Sequence, residues 1–107
     1  DMQGATRMLL FHGEALFRPS QMATHFFLVE AGLIQVLASD GQSVRRQFGS
    51  SEMFGIPEVL ARGRWDLTAV AEGPTTVRRF PAEVLFATLA DMPEEHDRFL
   101  RGIAAMA

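Results

Sequence analysis

The chain is organised around the stretch FGIPEVLARGRWDLTAV, residues 54–70. On both sides of it the chain reads as short strands, and this segment does not. It opens with Gly55 and Pro57, carries Arg62 and Arg64 around Gly63, and resumes a strand-like run at Leu67. A polar insertion of this kind between strands is a natural anion cradle. Backbone N–H groups near glycine approach a phosphate closely, and an arginine grips it.

Downstream, Leu67 to Ala71 and Thr75 to Phe80 read as a last strand pair joined at Glu72-Gly73-Pro74. Upstream, Gly49-Ser50-Ser51 is a loop, Ser43 to Phe48 a strand, and Asp40-Gly41 a strong hairpin turn. Before that turn, His25 to Glu30 and Leu33 to Ala38 read as a hairpin around Ala31-Gly32. In its second arm Ile34 and Val36 share one face, opposite Leu33, Gln35 and Leu37. Ala15 to Arg18 and Met8 to Phe11 are further short strands, separated by the turn His12-Gly13-Glu14. Residues 1–7 read as a loose lead-in. Strands this short and this regularly punctuated indicate a small sandwich or barrel. After Phe80 the period becomes helical. Pro81 suits a first helical position, Leu85, Phe86 and Leu89 form an apolar stripe, and Asp91-Met92-Pro93 breaks the helix. A second helix carries a seam of Phe99, Leu100, Ile103 and Met106.

The 107 residues fit one domain, and 48% hydrophobic with 21% charged residues is an ordinary globular composition. Nine Phe against one Trp and no Tyr point to a phenylalanine-filled core. A net charge of −3 argues against a general nucleic-acid or membrane surface. With no cysteine, disulfides and Cys-ligated clusters are excluded within these residues. No apolar run approaches the ~20 residues of a membrane helix. The chain opens on Asp1 rather than Met, as expected of a piece of a longer protein.

Several runs together resemble the cyclic-nucleotide-binding domain of the Crp/Fnr family of bacterial transcriptional regulators. Gly13-Glu14-Ala15-Leu16-Phe17-Arg18 is similar to its first barrel strand. Phe27-Leu28-Val29-Glu30-Ala31-Gly32 is similar to its tyrosine/phenylalanine-leucine-valine…glycine hairpin. Gly49 to Gly55 resembles the run into the phosphate-binding cassette, and Thr68-Ala69-Val70-Ala71 the strand that leaves it. The closing helices resemble its hinge and dimerisation helices. The resemblance implies a mainly β fold, a double-stranded β-helix or cupin-like jelly-roll barrel with C-terminal helices. It further implies a single sensory domain over residues 1–107, with the dimerisation helix beginning near residue 93. The expected context is a cytoplasmic homodimer that reads a small-molecule effector and reaches DNA only through a separate domain outside this chain.

The cassette departs from the family pattern. A glutamate that bonds the ribose 2′-hydroxyl is replaced by Ile56, which neither donates nor accepts. Nine residues on, the phosphate-pairing arginine is replaced by Trp65, and the following serine or threonine by Asp66. Pro57 removes a further backbone donor. Such losses cost several kcal/mol, at about 1.5–3 kcal/mol for each charge-assisted bond. The candidate effector pocket is therefore Gly55, Ile56, Glu58, Arg62, Arg64, Trp65, Asp66 and Thr68, with a cyclic nucleotide not held in the usual way. In a rewired loop, Arg64 and Glu58 replace the missing partners and a cyclic nucleotide binds after all. In a ligand-free dimerisation module, side chains such as Trp65 and Ile56 fill the pocket.

Each residue has a plainer role to set beside these. A lone loop Trp usually covers core. Arginines near glycine often only solvate a loop, and Asp66 suits a strand-edge turn. His12, His25 and His96 are too scattered for a metal or haem site, so no metal or cofactor is assigned. A metal-dependent cupin enzyme needs a His-x-His pair that is missing here, and no Ser–His–Asp set replaces it. No catalytic residue is therefore expected.

Overall fold

The computed structural model describes residues 4–91. The expected seam of Phe99, Leu100, Ile103 and Met106, and with it the expected dimerisation helix, lies outside the described residues.

Eight strands form two antiparallel sheets. The strands are β1 (Thr6–Leu10), β2 (Ala15–Phe17), β3 (His25–Ala31), β4 (Ile34–Leu37), β5 (Val44–Phe48), β6 (Met53–Phe54), β7 (Thr68–Ala71) and β8 (Thr75–Pro81). One sheet has the order β1-β8-β3-β6 and the other β2-β7-β4-β5. Two helices complete the described chain, α1 (Ile56–Leu60) and α2 (Ala82–Ala90). The fold is mainly β and jelly-roll-like. Strand β1 begins at Thr6, inside the expected lead-in, because Thr6 and Arg7 pair with Arg79 and Arg78 of β8. Pro81 is the cap before α2 rather than its first residue, since it also ends β8.

Two expected hairpins are corrected. Strands β3 and β4 follow one another in sequence but lie in opposite sheets, and so do β7 and β8. Strand β3 pairs with β8 and β6, while β4 pairs with β5 and β7. The two connections are corners that cross the molecule and pack on each other. At Gly32, with φ +94°, an added Cβ would lie 2.6 Å from the Pro74 carbonyl oxygen. The buried Thr75 hydroxyl accepts from the Leu33 N–H at 3.2 Å and reaches the carbonyls of Leu33 and Gly73 at 3.2 and 3.0 Å. The Glu72 N–H donates to the Leu33 carbonyl at 2.9 Å. The β4–β5 hairpin at Asp40-Gly41 forms as expected. Asp40 Oδ1 accepts from the N–H groups of Gln42 and Ser43, both at 2.8 Å.

Between the sheets lies a core in which Val29, Ile34, Ala69 and Val77 are fully buried. Both Phe26 and Phe27 of β3 are buried, which breaks the usual alternation. Phe27 faces the opposite sheet, 6.0 Å from the Phe17 ring. Phe26 takes the other face, where it stacks on Phe80 at 5.0 Å and backs onto Gly55 ahead of α1. The helices cover that second face. Leu89 is buried, and Leu85 and Phe86 are half-buried against the core.

Candidate functional site

Backbone chemistry sets the shape of the 54–70 segment. Gly55 takes φ +92°, and a Cβ there would meet the Trp65 ring at 2.9 Å, so only glycine suits both the dihedral and the packing. The turn starts α1, whose early Pro57 sits where an amide donor is dispensable. The helix stops after one turn. Arg62 enters the left-handed region at φ +52°, and the Gly63 N–H donates back to the Glu58 carbonyl at 3.0 Å.

Residues 63–65 then run extended beside residues 20–23. The Ala23 N–H donates to the Gly63 carbonyl at 2.9 Å, the Trp65 N–H to Gln21 at 2.9 Å, and the Ser20 N–H to Trp65 at 2.8 Å. This pairing imposes strand alternation, which sends Trp65 inward and its neighbours outward. Trp65 is 6% exposed and lies flat on Phe17, with ring centroids 3.8 Å apart and planes 8° apart. Arg64 is exposed and donates from Nη1 to the Ser20 carbonyl at 2.7 Å. Arg62 lies over the Phe86 ring of α2, 4.3 Å from its centroid.

A cavity of about 390 Å³ opens beside this segment. Phe17 and Val36 form part of its floor. Gly55, Ile56 and Glu58 come from the start of α1, and Trp65, Asp66 and Leu67 from the approach to β7. Five of the expected site residues thus meet here: Gly55, Ile56, Glu58, Trp65 and Asp66. Three do not line it. Arg62 is committed to α2, Arg64 to the Ser20 turn, and Thr68 pairs with Leu37 within the sheet.

The cations of the cavity come from elsewhere. Arg45 and Arg46 of β5 line it together with Phe48. The Arg46 guanidinium sits 5.1 Å from the Phe48 ring centroid, and Phe48 stacks on Phe54 at 4.4 Å. Sequence reasoning missed both arginines. Their only signal was a charged doublet in a strand of mixed polarity, and plain alternation would point the two side chains apart.

A second cavity of about 230 Å³ shares Trp65 and Phe17 with the first and has Met8, His25 and Arg79 in its wall. Burial holds the His25 pKa below its usual value. Arg79 pushes it the same way and Glu83 opposes. His25 Nδ1 is 2.9 Å from the Thr24 hydroxyl, and His12 Nδ1 accepts from the Gly73 N–H at 2.8 Å. Among the described residues no three His, Cys, Asp or Glu side chains are grouped to hold a metal, and no helix is long and apolar enough to cross a membrane.

The family model of the cyclic nucleotide-binding domain matches residues 10–91. Among solved structures, the chain is similar to the sensor domain of the transcriptional regulator DNR from Pseudomonas aeruginosa. The TM-score is 0.82 at 19% identity, over 96% of this chain and 71% of that one. It is also similar to the catabolite activator protein of Thermus thermophilus, with TM-score 0.75 at 23% identity, over 95% of this chain and 49% of that one. At these identities the two likenesses concern the fold alone. A Ruegeria pomeroyi protein assigned to cyclic nucleotide binding matches with TM-score 0.75 at 25% identity, over 84% of this chain and 41% of that one. The chain therefore spans about two fifths of the Ruegeria protein and about half of the Thermus one. No curated protein matches the sequence significantly.

Proposed function

The chain belongs to the cyclic nucleotide-binding domain family, and we propose that it is the effector-sensing domain of a Crp/Fnr-type transcriptional regulator with an altered cassette. Family and fold are those of regulatory binding domains rather than of enzymes. In this reading the cavity beside α1 holds the effector, and a cyclic nucleotide is not held there in the usual way. The observation that carries it is the Trp65–Phe17 stack. The position where the family pattern has its phosphate-pairing arginine is occupied by a core side chain at 6% exposure. Rewiring of the loop is disfavoured as well, because Arg64 is already engaged with Ser20.

The signal would travel by contact. Arg62 ends the cassette helix and lies over Phe86, so a shift of α1 bears directly on α2. Helix α2 leads into residues 93–107, read here as the start of a dimerisation helix. An effector that prefers one placement of α1 would bias that helix between two states. Homodimerisation and a DNA-binding domain outside this chain belong to the same proposal.

Calorimetry with cyclic AMP and cyclic GMP tests the ligand part. Each missing charge-assisted contact is worth about 1.5–3 kcal/mol, or one to two decades of affinity. Neither nucleotide is expected to bind tighter than about 100 µM. Low-micromolar binding that disappears in Arg64→Ala would overturn the reading. One observation favours a ligand-free dimerisation module instead: Trp65 is buried against Phe17 as a core side chain. That reading predicts that no small molecule perturbs the cavity walls.

A further inference from the structure

The register of β5 places two cations where sequence alternation would place one. Ile34 pairs with Phe48 and Val36 with Arg46, so Phe48 and Arg46 share the inner face with the buried Ile34 and Val36. The next pair is Leu37 with Val44, which leaves Arg45 as an extra residue in a β-bulge. A bulge suspends the two-residue period and re-aims a side chain. Here it brings Arg45 to the same cavity as Arg46.

Among the described residues neither arginine is engaged by an acid. Among the described residues, the arginine ion pairs join Arg7 and Arg78 to Glu30, and none involves Arg45, Arg46, Glu58 or Asp66. The cavity is therefore polarised. Its cations stand on β5. Asp66 stands at the approach to β7, and β4 intervenes between those strands, a separation of about 10 Å. The cavity is also lined by apolar side chains, Ile56 and Leu67 together with the stacked rings of Phe48 and Phe54.

We infer that Arg45 and Arg46 form the anion grip of this cavity, and that its ligand is a flat apolar molecule bearing a carboxylate or phosphate. The inference rests on the effector-site reading above and adds the ligand's chemical class. Two guanidinium forks offer an oxyanion bidentate bonding from one side. Repulsion from Asp66 and Glu58 holds the anion at the β5 wall, and the apolar body lies against the phenylalanine stack. The cassette's lost arginine is replaced from a neighbouring strand, not from its own loop. An edge strand also uses charge and bulges simply to resist pairing with other chains, and the test separates the two roles.

The 107-residue chain is titrated with phenyl phosphate, benzoate and neutral benzyl alcohol, followed by amide chemical shifts and by the fluorescence of Trp65, its single tryptophan. Phenyl phosphate and benzoate are expected to bind roughly tenfold or more tighter than benzyl alcohol. Arg45→Gln/Arg46→Gln is expected to reduce them to the level of the alcohol. Arg45→Lys/Arg46→Lys should keep part of the preference, and Arg62→Gln/Arg64→Gln all of it. Circular dichroism confirms that each variant is folded. If the alcohol binds as well as the anions, or if the loop variant and not the β5 variant loses the preference, the grip is refuted while the effector site survives. If no probe moves the cavity residues or Trp65, the effector-site reading falls and this one with it. A preference for phosphate over benzoate would identify the oxyanion and support the grip.

Discussion

Trp65→Arg restores, in sequence, the arginine that the family pattern puts at this position, and it is expected to remove most of the domain's stability rather than create a nucleotide site. Trp65 is 6% exposed and stacks on Phe17 at 3.8 Å. Removing a buried Trp side chain costs about 3–5 kcal/mol. Leaving an unpaired charge in its place costs about 3–5 kcal/mol more. The arginine stem refills some of the space, so the sum is nearer 4–8 kcal/mol. A domain of this size has about 5–15 kcal/mol in total. Urea denaturation followed by circular dichroism measures the loss, and calorimetry with cyclic AMP measures any gain in binding. A variant that keeps its denaturation midpoint and binds cyclic AMP in the micromolar range would overturn this expectation. It would show that position 65 faces ligand and not core.

The crossed corners make two further predictions. Gly32→Ala forces a side chain to φ +94° and 2.6 Å from the Pro74 carbonyl, so a loss of about 3 kcal/mol or more is expected in the same denaturation assay. Thr75→Val keeps the shape but strands the Leu33 N–H, which should cost about 1–3 kcal/mol with little change in fold by circular dichroism. The hydrogen bond from Arg7 to Glu30 at 2.7 Å holds the Glu30 carboxyl below the ordinary carboxylate range, with Arg78 assisting. Its contribution is present above the unfolded-state pKa near 4.5 and lost as pH falls through the lowered folded value, so the stability gap between wild type and Glu30→Gln should close on acidification below that pH. Burial likewise lowers the His25 pKa. Stability should be complete above the ordinary histidine pKa of 6.5 and fall as pH drops below it, and His25→Gln should remove that part of the acid sensitivity.

Within the candidate site, the sequence indicated which residues lie near one another rather than what each contacts. Gly55, Ile56, Glu58, Trp65 and Asp66 do gather at one cavity, because they lie on a single short helix or on the segments that flank it. Arg62 and Arg64 were equally near in sequence and turn away. Their directions depend on partners outside the loop, namely the Phe86 ring and the Ser20 carbonyl. Arg45 escaped notice for a similar reason. A bulge is a mismatch between two strands, so β5 by itself carries no sign of it.

The sequence alone determined the order of seven of the eight strands, all but the two-residue β6, together with the Asp40-Gly41 hairpin and the break from strand to helix after Phe80. These signals are local: a two-residue period, a turn whose Asp40 carboxylate holds its own neighbours, and a change of period at a proline. The tertiary structure alone decided which strands share a sheet. His25 to Ala31 pairs with Thr75 to Pro81, some fifty residues away, instead of with the strand that follows it. Pairing is a contest among all exposed edges, settled by which arrangement buries Val29, Ile34 and Val77 together, and a periodicity confined to one segment cannot register the outcome. The same contest turned Trp65 into core and aimed two arginines of β5 at the cavity.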